Sequence, residues 1–452
     1  MCGIIGIYSE KKIELMSLLY FGLLGVQHRG QESSGVILSN GETELEHLHF
    51  RRLSTGKNSV DSLFAKKNIP IGEKFSLAIG HNRYSTSGSV KNINNIQPLL
   101  AKTRYGTLGI AHNGNLPQSL AMRDELSKQG DIFFSDSDTE IILKLIARSK
   151  RSSLVEAIIE TLEVIGGSYS LLFITKDEII AARDPYGIRP LCLGQFDHGY
   201  MIASEQSSFN KNLGVNFVRE IERGEILVIN NEGLKTHKMN IPQNAAHCIF
   251  ELIYFARPDS FQFDHSVADF RMQTGKLYSR RHSSLAIDAI VPIPDSAMYF
   301  AQGYSDESGL PLKLALLRNH YIGRTFITPG RKNIQAKLSP IESLIRDRHI
   351  SLVDDSIVRG TTSKNIVDIV RECEPKAVHF GVASPPIIGH CSLGIDIKSE
   401  EELAISGGRS VEDIRQSIHA DTLNYLCMED LRKATSHPDD FCYGCFTGKY
   451  PV

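Results

Sequence analysis

Residues 350–363 read Ile350-Ser-Leu-Val-Asp-Asp-Ser-Ile-Val-Arg-Gly-Thr-Thr-Ser363. An apolar strand runs into two adjacent carboxylates, Asp354 and Asp355. A loop then supplies Arg359, Gly360, Thr361, Thr362 and Ser363 ahead of a helical stretch, 364–371. Backbone N–H groups and hydroxyls at a helix N-terminus form an anion cradle. The carboxylates suit the vicinal hydroxyls of a sugar and, with Mg2+, a polyphosphate. Open parallel sheets bind ligands at the carboxyl ends of their strands, where this stretch falls. The bland alternative is a strand followed by a helix with Ser363 as its cap. Two consecutive aspartates there are costly without a ligand or cation.

The rhythm around this stretch alternates. Residues 287–293 and 377–383 read as strands and 298–308 as a helix. Strands alternating with helices predict a parallel, doubly wound α/β sheet. From residue 411 the tail reads as helical and then as a loop holding Cys442 and Cys445. Upstream, the polar segment 231–246 is the expected boundary, giving domains 2–235 and 246–452. In the first domain, 3–8 is a short buried strand and 15–27 carries apolar residues at helical spacing. Residues 77–80 and 107–111 are short apolar runs ahead of polar loops. Helices are expected at 139–146 and 154–165, and strands at 168–174, 178–182 and 225–230, with a turn at Asp184-Pro-Tyr-Gly187. This mixture is a layered α+β domain.

Composition narrows the function classes. The 452 residues include 50 basic and 52 acidic side chains, so a strongly basic nucleic-acid binder is disfavoured. With 41% hydrophobic residues the chain buries large cores and is not disordered. It has no apolar run of the roughly 18 residues that a membrane span needs, and no signal-type N-terminus. A cytoplasmic protein without membrane or nucleic-acid partners is expected. Its eight cysteines read as catalytic or metal-binding thiols in a reducing compartment rather than as a disulfide framework.

Cys2 follows the initiator methionine directly. Removal of Met1 would place the thiol beside a free α-amine with a pKa of about 8, able to act as its general base. Asn113 and Gly114, in Ala111-His-Asn-Gly-Asn-Leu116, offer a side-chain amide beside a glycine N–H, an oxyanion hole for acyl transfer. Arg83, in His81-Asn-Arg-Tyr-Ser-Thr86, suits a bidentate hold on a carboxylate. Asp138, in Ser137-Asp-Thr-Glu140, suits an ammonium group. Together they would hold both ends of a free amino acid while its side-chain carbonyl is attacked.

These motifs, with Gln27-His-Arg-Gly-Gln-Glu-Ser33, resemble the glutaminase domain of the N-terminal-nucleophile amidotransferases over about residues 2–235. The resemblance implies a four-layer αββα fold. It also implies that Cys2 attacks the glutamine amide and releases ammonia. Arg83 and Asp138 would bind the α-carboxylate and α-amine of glutamine. Asn113 and Gly114 would stabilise the oxyanion.

The stretch at 350–363 looks like the phosphoribosyl-pyrophosphate (PRPP) signature of the phosphoribosyltransferases. The order of the two domains resembles the glutamine-dependent PRPP amidotransferase family. Agreement extends to Phe250-Glu-Leu-Ile-Tyr-Phe-Ala-Arg-Pro-Asp-Ser260, Val291-Pro-Ile-Pro-Asp-Ser296, Arg318-Asn-His-Tyr-Ile-Gly-Arg-Thr-Phe326 and Ala383-Ser-Pro-Pro386. The family implies that ammonia passes through an internal channel and displaces pyrophosphate from PRPP, giving 5-phosphoribosylamine for purine synthesis. Asp354 and Asp355 would bind the ribose hydroxyls and Mg2+, and Arg359 to Ser363 the 5-phosphate. Residues 318–337 resemble the loop that closes over PRPP, and Tyr84 and Tyr254 are candidates for coupling the two sites. Purine nucleotides are the implied feedback inhibitors, and a homodimer or homotetramer the implied assembly. There are two departures. Residues 327–336 form a shorter loop than is usual in the family, and Ala297 stands where many members carry a small hydroxyl or glycine, so that either a Mg2+ ligand is missing or Ser296 or a backbone carbonyl serves.

Cys248, Cys391, Cys442 and Cys445 would bind zinc or a [4Fe–4S] cluster, and their spacing does not choose between the two. Their contexts resemble the iron–sulfur subclass of this family, in which the cluster is structural and pins the C-terminal tail. Cys192, Cys373 and Cys427 read as buried, inert thiols. Two other readings compete with this one. One is a paralogue that delivers ammonia to another sugar phosphate. The other is a regulatory protein that senses PRPP or nucleotides.

Overall fold

The computed structural model describes residues 1–54, 59–65, 69–84, 92–319, 338–397 and 399–452. The loop at 327–336 lies outside the described residues. Contacts divide the chain into two compact units. The first is Met1–His247 with two returning pieces, Ser392–Asp396 and Pro451–Val452. The second is Cys248–Cys391 with Ile397–Tyr450. A boundary drawn once along the chain does not contain these returns.

The first unit holds two antiparallel sheets. In the seven-stranded sheet, Gly3–Ile13 lies between Gly199–Ala203 and Phe75–Arg83, and Ser33–Ser39 pairs with the far side of Phe75–Arg83. In the six-stranded sheet, Gly106–Asn115 lies between Leu99–Thr103 and Ser168–Ile174. Alternation along the strands explains the layers. Ile5 and Ile7 pack with Leu19 and Leu23 of helix Met16–Gly25. Ile4 and Tyr8, facing the other way, meet Leu172 and Ile179 of the second sheet. On that sheet, Leu171 and Phe173 face Ile142 and Ile158 of helices Thr139–Arg148 and Leu154–Val164. The result is helix, sheet, sheet, helix. Strands covered on both faces are apolar without a gap, so they read as short apolar runs rather than as alternating patterns.

The second unit is built on a four-stranded sheet. Its order is Ala289–Pro292, His349–Asp354, Ala377–Val382, Thr422–Tyr425, and every pairing is parallel. Ile366, Val367 and Val370 of helix Thr361–Arg371 pack against Leu352 and Phe380 on one face. Gly381, the next residue along the strand, meets Tyr278 of helix Val267–Arg281. That helix crosses helix Met298–Ser308 at two glycines. A Cβ on Gly275 would lie 2.0 Å from the Phe300 carbonyl, and one on Gly303 would lie 1.9 Å from the Met272 carbonyl. Only glycine lets the two backbones approach this closely.

Three expectations change. The polar segment 231–246 contains a strand, Gly233–Lys238, at the edge of the six-stranded sheet. Its side chains are mostly exposed, and polar or lysine-bearing edges are how sheets avoid further pairing, so hydrophobicity does not reveal it. The tail is not helical throughout, because Thr422–Tyr425 adds the fourth parallel strand. The helix expected at 364–371 begins earlier, at Thr361, with Gly360 as its N-cap. Among the described residues no helix is long and apolar enough to cross a membrane.

Candidate functional site

In the first unit, strand pairing brings the motif residues together. Gly3 pairs with Asn82, which places Cys2 beside the end of strand Phe75–Arg83. Asn113 pairs with Ser170 and Gly114 with Tyr169. Both strands therefore run past the apolar stretches read from the sequence, and Arg83, Asn113 and Gly114 sit within strands rather than in the loops after them. Hydrophobicity stops at His81 and His112 because these polar side chains are buried for the site rather than for the core.

Cys2, Arg83, His112, Gly114, Ser137 and Asp138 line one cavity. The Cys2 backbone N–H donates to Asn113 Oδ1 at 3.2 Å, and the Cys2 thiol donates to the Tyr84 carbonyl at 3.5 Å. Asn113 Nδ2 is buried without a hydrogen-bond partner. An unmatched buried donor is costly unless something transient uses it. A Cβ on Gly114 would lie 2.0 Å from the Ser168 carbonyl, so only glycine fits beside it. Asp138 precedes helix Thr139–Arg148, yet its carboxylate accepts from the Leu116 N–H at 3.0 Å and lies 3.6 Å from His112 Nδ1. Burial opposes its ionisation, but the His112 charge and the N–H groups of Leu116 and Thr139 hold its pKa below the ordinary value.

Burial pushes the Cys2 thiol up. The α-amine of Met1 is itself buried and is lowered to about 6, chiefly by burial and further by Arg189 and Arg29. His81, wholly buried, is lowered to about 3 by desolvation.

Sequence reading assigned no role to three further groups. Arg29 donates from Nε to the Cys2 carbonyl at 3.0 Å. Glu205, fully buried, accepts from Arg29 and His28. The returning segment Ser392–Asp396 is tied to the site from a distant part of the chain. Asn115 Nδ2 donates to the Ser392 carbonyl at 2.8 Å, Ser168 Oγ to the Leu393 carbonyl at 2.7 Å, and the Tyr84 hydroxyl to Asp396 at 3.0 Å. The available signal was a charged or polar residue inside or just beyond an apolar strand run.

In the second unit, Asp354 ends the central strand and Asp355 follows it, both buried. The Asp355 N–H donates to Asp354 Oδ1 at 2.9 Å, and Ser356 Oγ donates to Asp355 at 2.6 Å. Burial raises both carboxyls, and the charge of Asp355 raises Asp354 further. Hydrogen bonds from Ser296 and Ser356 and the charge of Arg271 act against burial at Asp355, so Ser296 is brought to the acidic pair. Gly360 has φ +77°, a left-handed conformation that favours glycine, and caps the helix without a side-chain bond. Ser363 is not the cap. It lies buried in the first turn, with Thr361 and Thr362 exposed before it. Arg359 pairs with Glu402 at 2.5 Å. Ala297 is buried at the N-cap of helix Met298–Ser308.

Four thiols of this unit interact. Cys445 shares a hydrogen bond with Cys391 and feels the charges of Cys248 and Cys442, so its pKa rises well above the ordinary value. Among the described residues, no group of three or more His, Cys, Asp or Glu side chains forms a metal-holding arrangement. Cys192 and Cys373 are buried and Cys427 is half-buried.

Residues 81–211 match the model of a glutamine amidotransferase domain, and residues 269–384 that of a phosphoribosyl transferase domain. An amidophosphoribosyltransferase of Methanocaldococcus jannaschii is 40% identical, with an alignment covering 100% of this chain and 98% of that protein.

The chain belongs to the amidophosphoribosyltransferase family.

A Bacillus subtilis family member is 39% identical, over 100% of this chain and 94% of that protein. The solved structure of B. subtilis glutamine PRPP amidotransferase complexed with ADP and GMP has a TM-score of 0.89 at 38% identity, covering 100% of this chain and 97% of that one. The αββα unit followed by the parallel-sheet unit is this family's fold.

Proposed function

We propose that the chain catalyses glutamine-dependent amination of PRPP, yielding 5-phosphoribosylamine, glutamate and pyrophosphate, the first step of de novo purine synthesis. The observation that carries this reading is Asn113. Its Oδ1 holds the backbone nitrogen of Cys2 while its Nδ2 is buried and unpartnered. That is the arrangement needed to fix an N-terminal nucleophile and receive an oxyanion with one side chain.

In this reading, removal of Met1 frees the α-amine of Cys2, which takes the thiol proton as sulfur attacks the glutamine amide carbon. Asn113 Nδ2 and the Gly114 N–H stabilise the tetrahedral oxyanion. The amine returns its proton to the departing ammonia, and water hydrolyses the thioester to glutamate. Arg83 holds the α-carboxylate of glutamine and Asp138 its α-ammonium. Ammonia then displaces pyrophosphate at C1 of PRPP, with Asp354 and Asp355 on the ribose hydroxyls and Arg359 to Ser363 around the 5-phosphate. Positioning and charge stabilisation carry this displacement.

The adjacent carboxyls of Asp354 and Asp355, both raised by burial, suit Mg2+ with Ser296, because a divalent cation relieves two adjacent buried carboxylates. When bound it neutralises the leaving pyrophosphate. Cys248, Cys391 and Cys442 each bear electrostatically on Cys445, and these four thiols are the proposed donors for a [4Fe–4S] cluster, with zinc the other metal such a donor set takes. Its role is structural. Iron and acid-labile sulfide assays against zinc decide between them. Purine nucleotides are the proposed feedback inhibitors, supported by the ADP and GMP complex of the B. subtilis enzyme. The proposed assembly is a homodimer or homotetramer, measurable by light scattering.

The test uses protein purified without oxygen and incubated with glutamine, PRPP and Mg2+, with glutamate and pyrophosphate quantified separately. Matched release supports the reading. Glutamate without pyrophosphate means another acceptor, and neither product means a regulatory protein.

A further inference from the structure

The Arg29 guanidinium donates through Nε to the carbonyl of Cys2 at 3.0 Å and through Nη1 to Glu205 Oε1 at 2.5 Å. His28 Nε2 lies 2.7 Å from the same Glu205 oxygen. Both Arg29 and Glu205 side chains are inaccessible to solvent. The peptide around Glu205 is anchored in turn. The Ser204 N–H donates to the Ile4 carbonyl at 3.1 Å, the Ile4 N–H donates to Ser204 Oγ at 3.0 Å, and Ser207 Oγ donates to the Gly25 carbonyl at 3.1 Å. A Cβ on Gly25 would lie 2.7 Å from the Ser207 carbonyl, so the turn carrying Glu205 is pressed onto the end of helix Met16–Gly25. A buried ion pair is poor evidence for stability, because desolvation offsets most of the attraction. It is good evidence for orientation, because a guanidinium held by a carboxylate presents its remaining donors in fixed directions.

We propose that Glu205 is a positioning residue for the nucleophile. Its carboxylate, shared by Arg29 and His28, aims the Arg29 guanidinium at the Cys2 carbonyl and so sets the direction in which the Cys2 thiol and amine face the amide. Asn113 grips the residue from its nitrogen and Arg29 from its carbonyl. Glu205 touches neither substrate nor the reacting atoms. The proposal rests on the reading of Cys2 as the glutaminase nucleophile.

The experiment compares wild type, Glu205→Gln, Glu205→Asp and Arg29→Lys as full chains. Wild-type glutamate release tests the underlying reading first. Its absence overturns that reading, whatever the variants do. Three quantities are then measured: kcat and KM for glutamine, ammonia-dependent pyrophosphate release, and the rate of Cys2 alkylation by iodoacetamide against pH. Glu205→Gln is expected to lower glutaminase kcat by on the order of ten- to a hundredfold, the scale of a small misplacement of a reacting group. KM should change little, ammonia-dependent turnover should be kept, and the alkylation profile should shift, because the Glu205 charge no longer offsets that of Arg29 near Cys2. Glu205→Asp should recover part of the loss. Arg29→Lys, which keeps the charge but not the fork, should resemble Glu205→Gln, and it carries the test if Glu205→Gln does not fold. Glutaminase kcat within about twofold of wild type with an unmoved alkylation profile overturns the proposal. So does parallel loss of glutamine- and ammonia-dependent turnover, which would mark a general structural role.

Discussion

The backbone nitrogen of Cys2 and the side-chain oxygen of Asn113 meet at 3.2 Å across 111 positions of sequence. The contact exists because two different sheets lie face to face, with Cys2 leading into one and Asn113 inside the other. It leaves the Asn113 amide nitrogen buried and unmatched next to Gly114.

Asn113→Ala should therefore remove an oxyanion donor together with the hold on the Cys2 nitrogen. Glutamine-dependent kcat is expected to fall by roughly a hundred- to a thousandfold, about 3–4 kcal/mol of transition-state stabilisation. Ammonia-dependent turnover at alkaline pH should persist. Steady-state assays with glutamine and with ammonium chloride measure the two separately.

Cys2→Ala should abolish glutamine-dependent turnover and spare ammonia-dependent turnover. Equal loss of both would sink the two-site account. Intact-mass measurement of the wild type tests the companion expectation that Met1 is removed, since an acylated amine leaves the thiol without its base.

Asp354→Asn and Asp355→Asn should each suppress pyrophosphate release with either nitrogen source, while slow glutamate release continues. The carboxylates end a strand of the second unit, and the thiol belongs to the first. Product analysis by ion chromatography checks this, and loss of glutamate release as well would contradict it.

Acidification should destabilise the fold through two histidines that folding withdraws from water. His81 is lowered to about 3 and His49 to about 4, in both cases chiefly by burial, from an ordinary value of 6.5. The unfolded chain therefore binds more protons than the folded one below pH 6.5, and stability falls with pH there. The contribution is fully present above about 6.5 and is lost progressively towards about 4 and below, where the folded forms also protonate. Urea midpoints across that window should decline, and the decline should be shallower in His49→Gln, since His49 is only half-buried and its loss is tolerable.

Gly303→Ala should destabilise the second unit. The added methyl meets a backbone carbonyl at 1.9 Å, which cannot rotate away, so the two helices must separate. Overpacking of this kind costs about 1–3 kcal/mol, read as a lower thermal or urea midpoint.

Much of this was legible along the chain because it is local. The run at 350–363 announces a strand, a carboxylate pair and a loop before a helix by residue type alone, and the helix Met298–Ser308 and strand Ser168–Ile174 have the bounds their periodicity predicts. Ordered motifs likewise single out Cys2, Arg83, Asn113, Gly114 and Asp138. What they cannot express is partnership. The edge strand Gly233–Lys238 is hidden because its stability comes from a neighbour rather than from its own apolar side chains. Asn113 and Gly114 read as loop residues until pairing with Ser170 and Tyr169 places them inside a strand. The Glu205–Arg29–Cys2 chain and the return of Ser392–Asp396 depend on contacts between segments far apart in sequence. The sequence by itself determined the chemistry on offer, the two-part architecture and the family. Only the tertiary structure decided which carboxylate steadies which arginine and which amide is left waiting, because burial and hydrogen-bond geometry are properties of segments brought together, not of any segment alone.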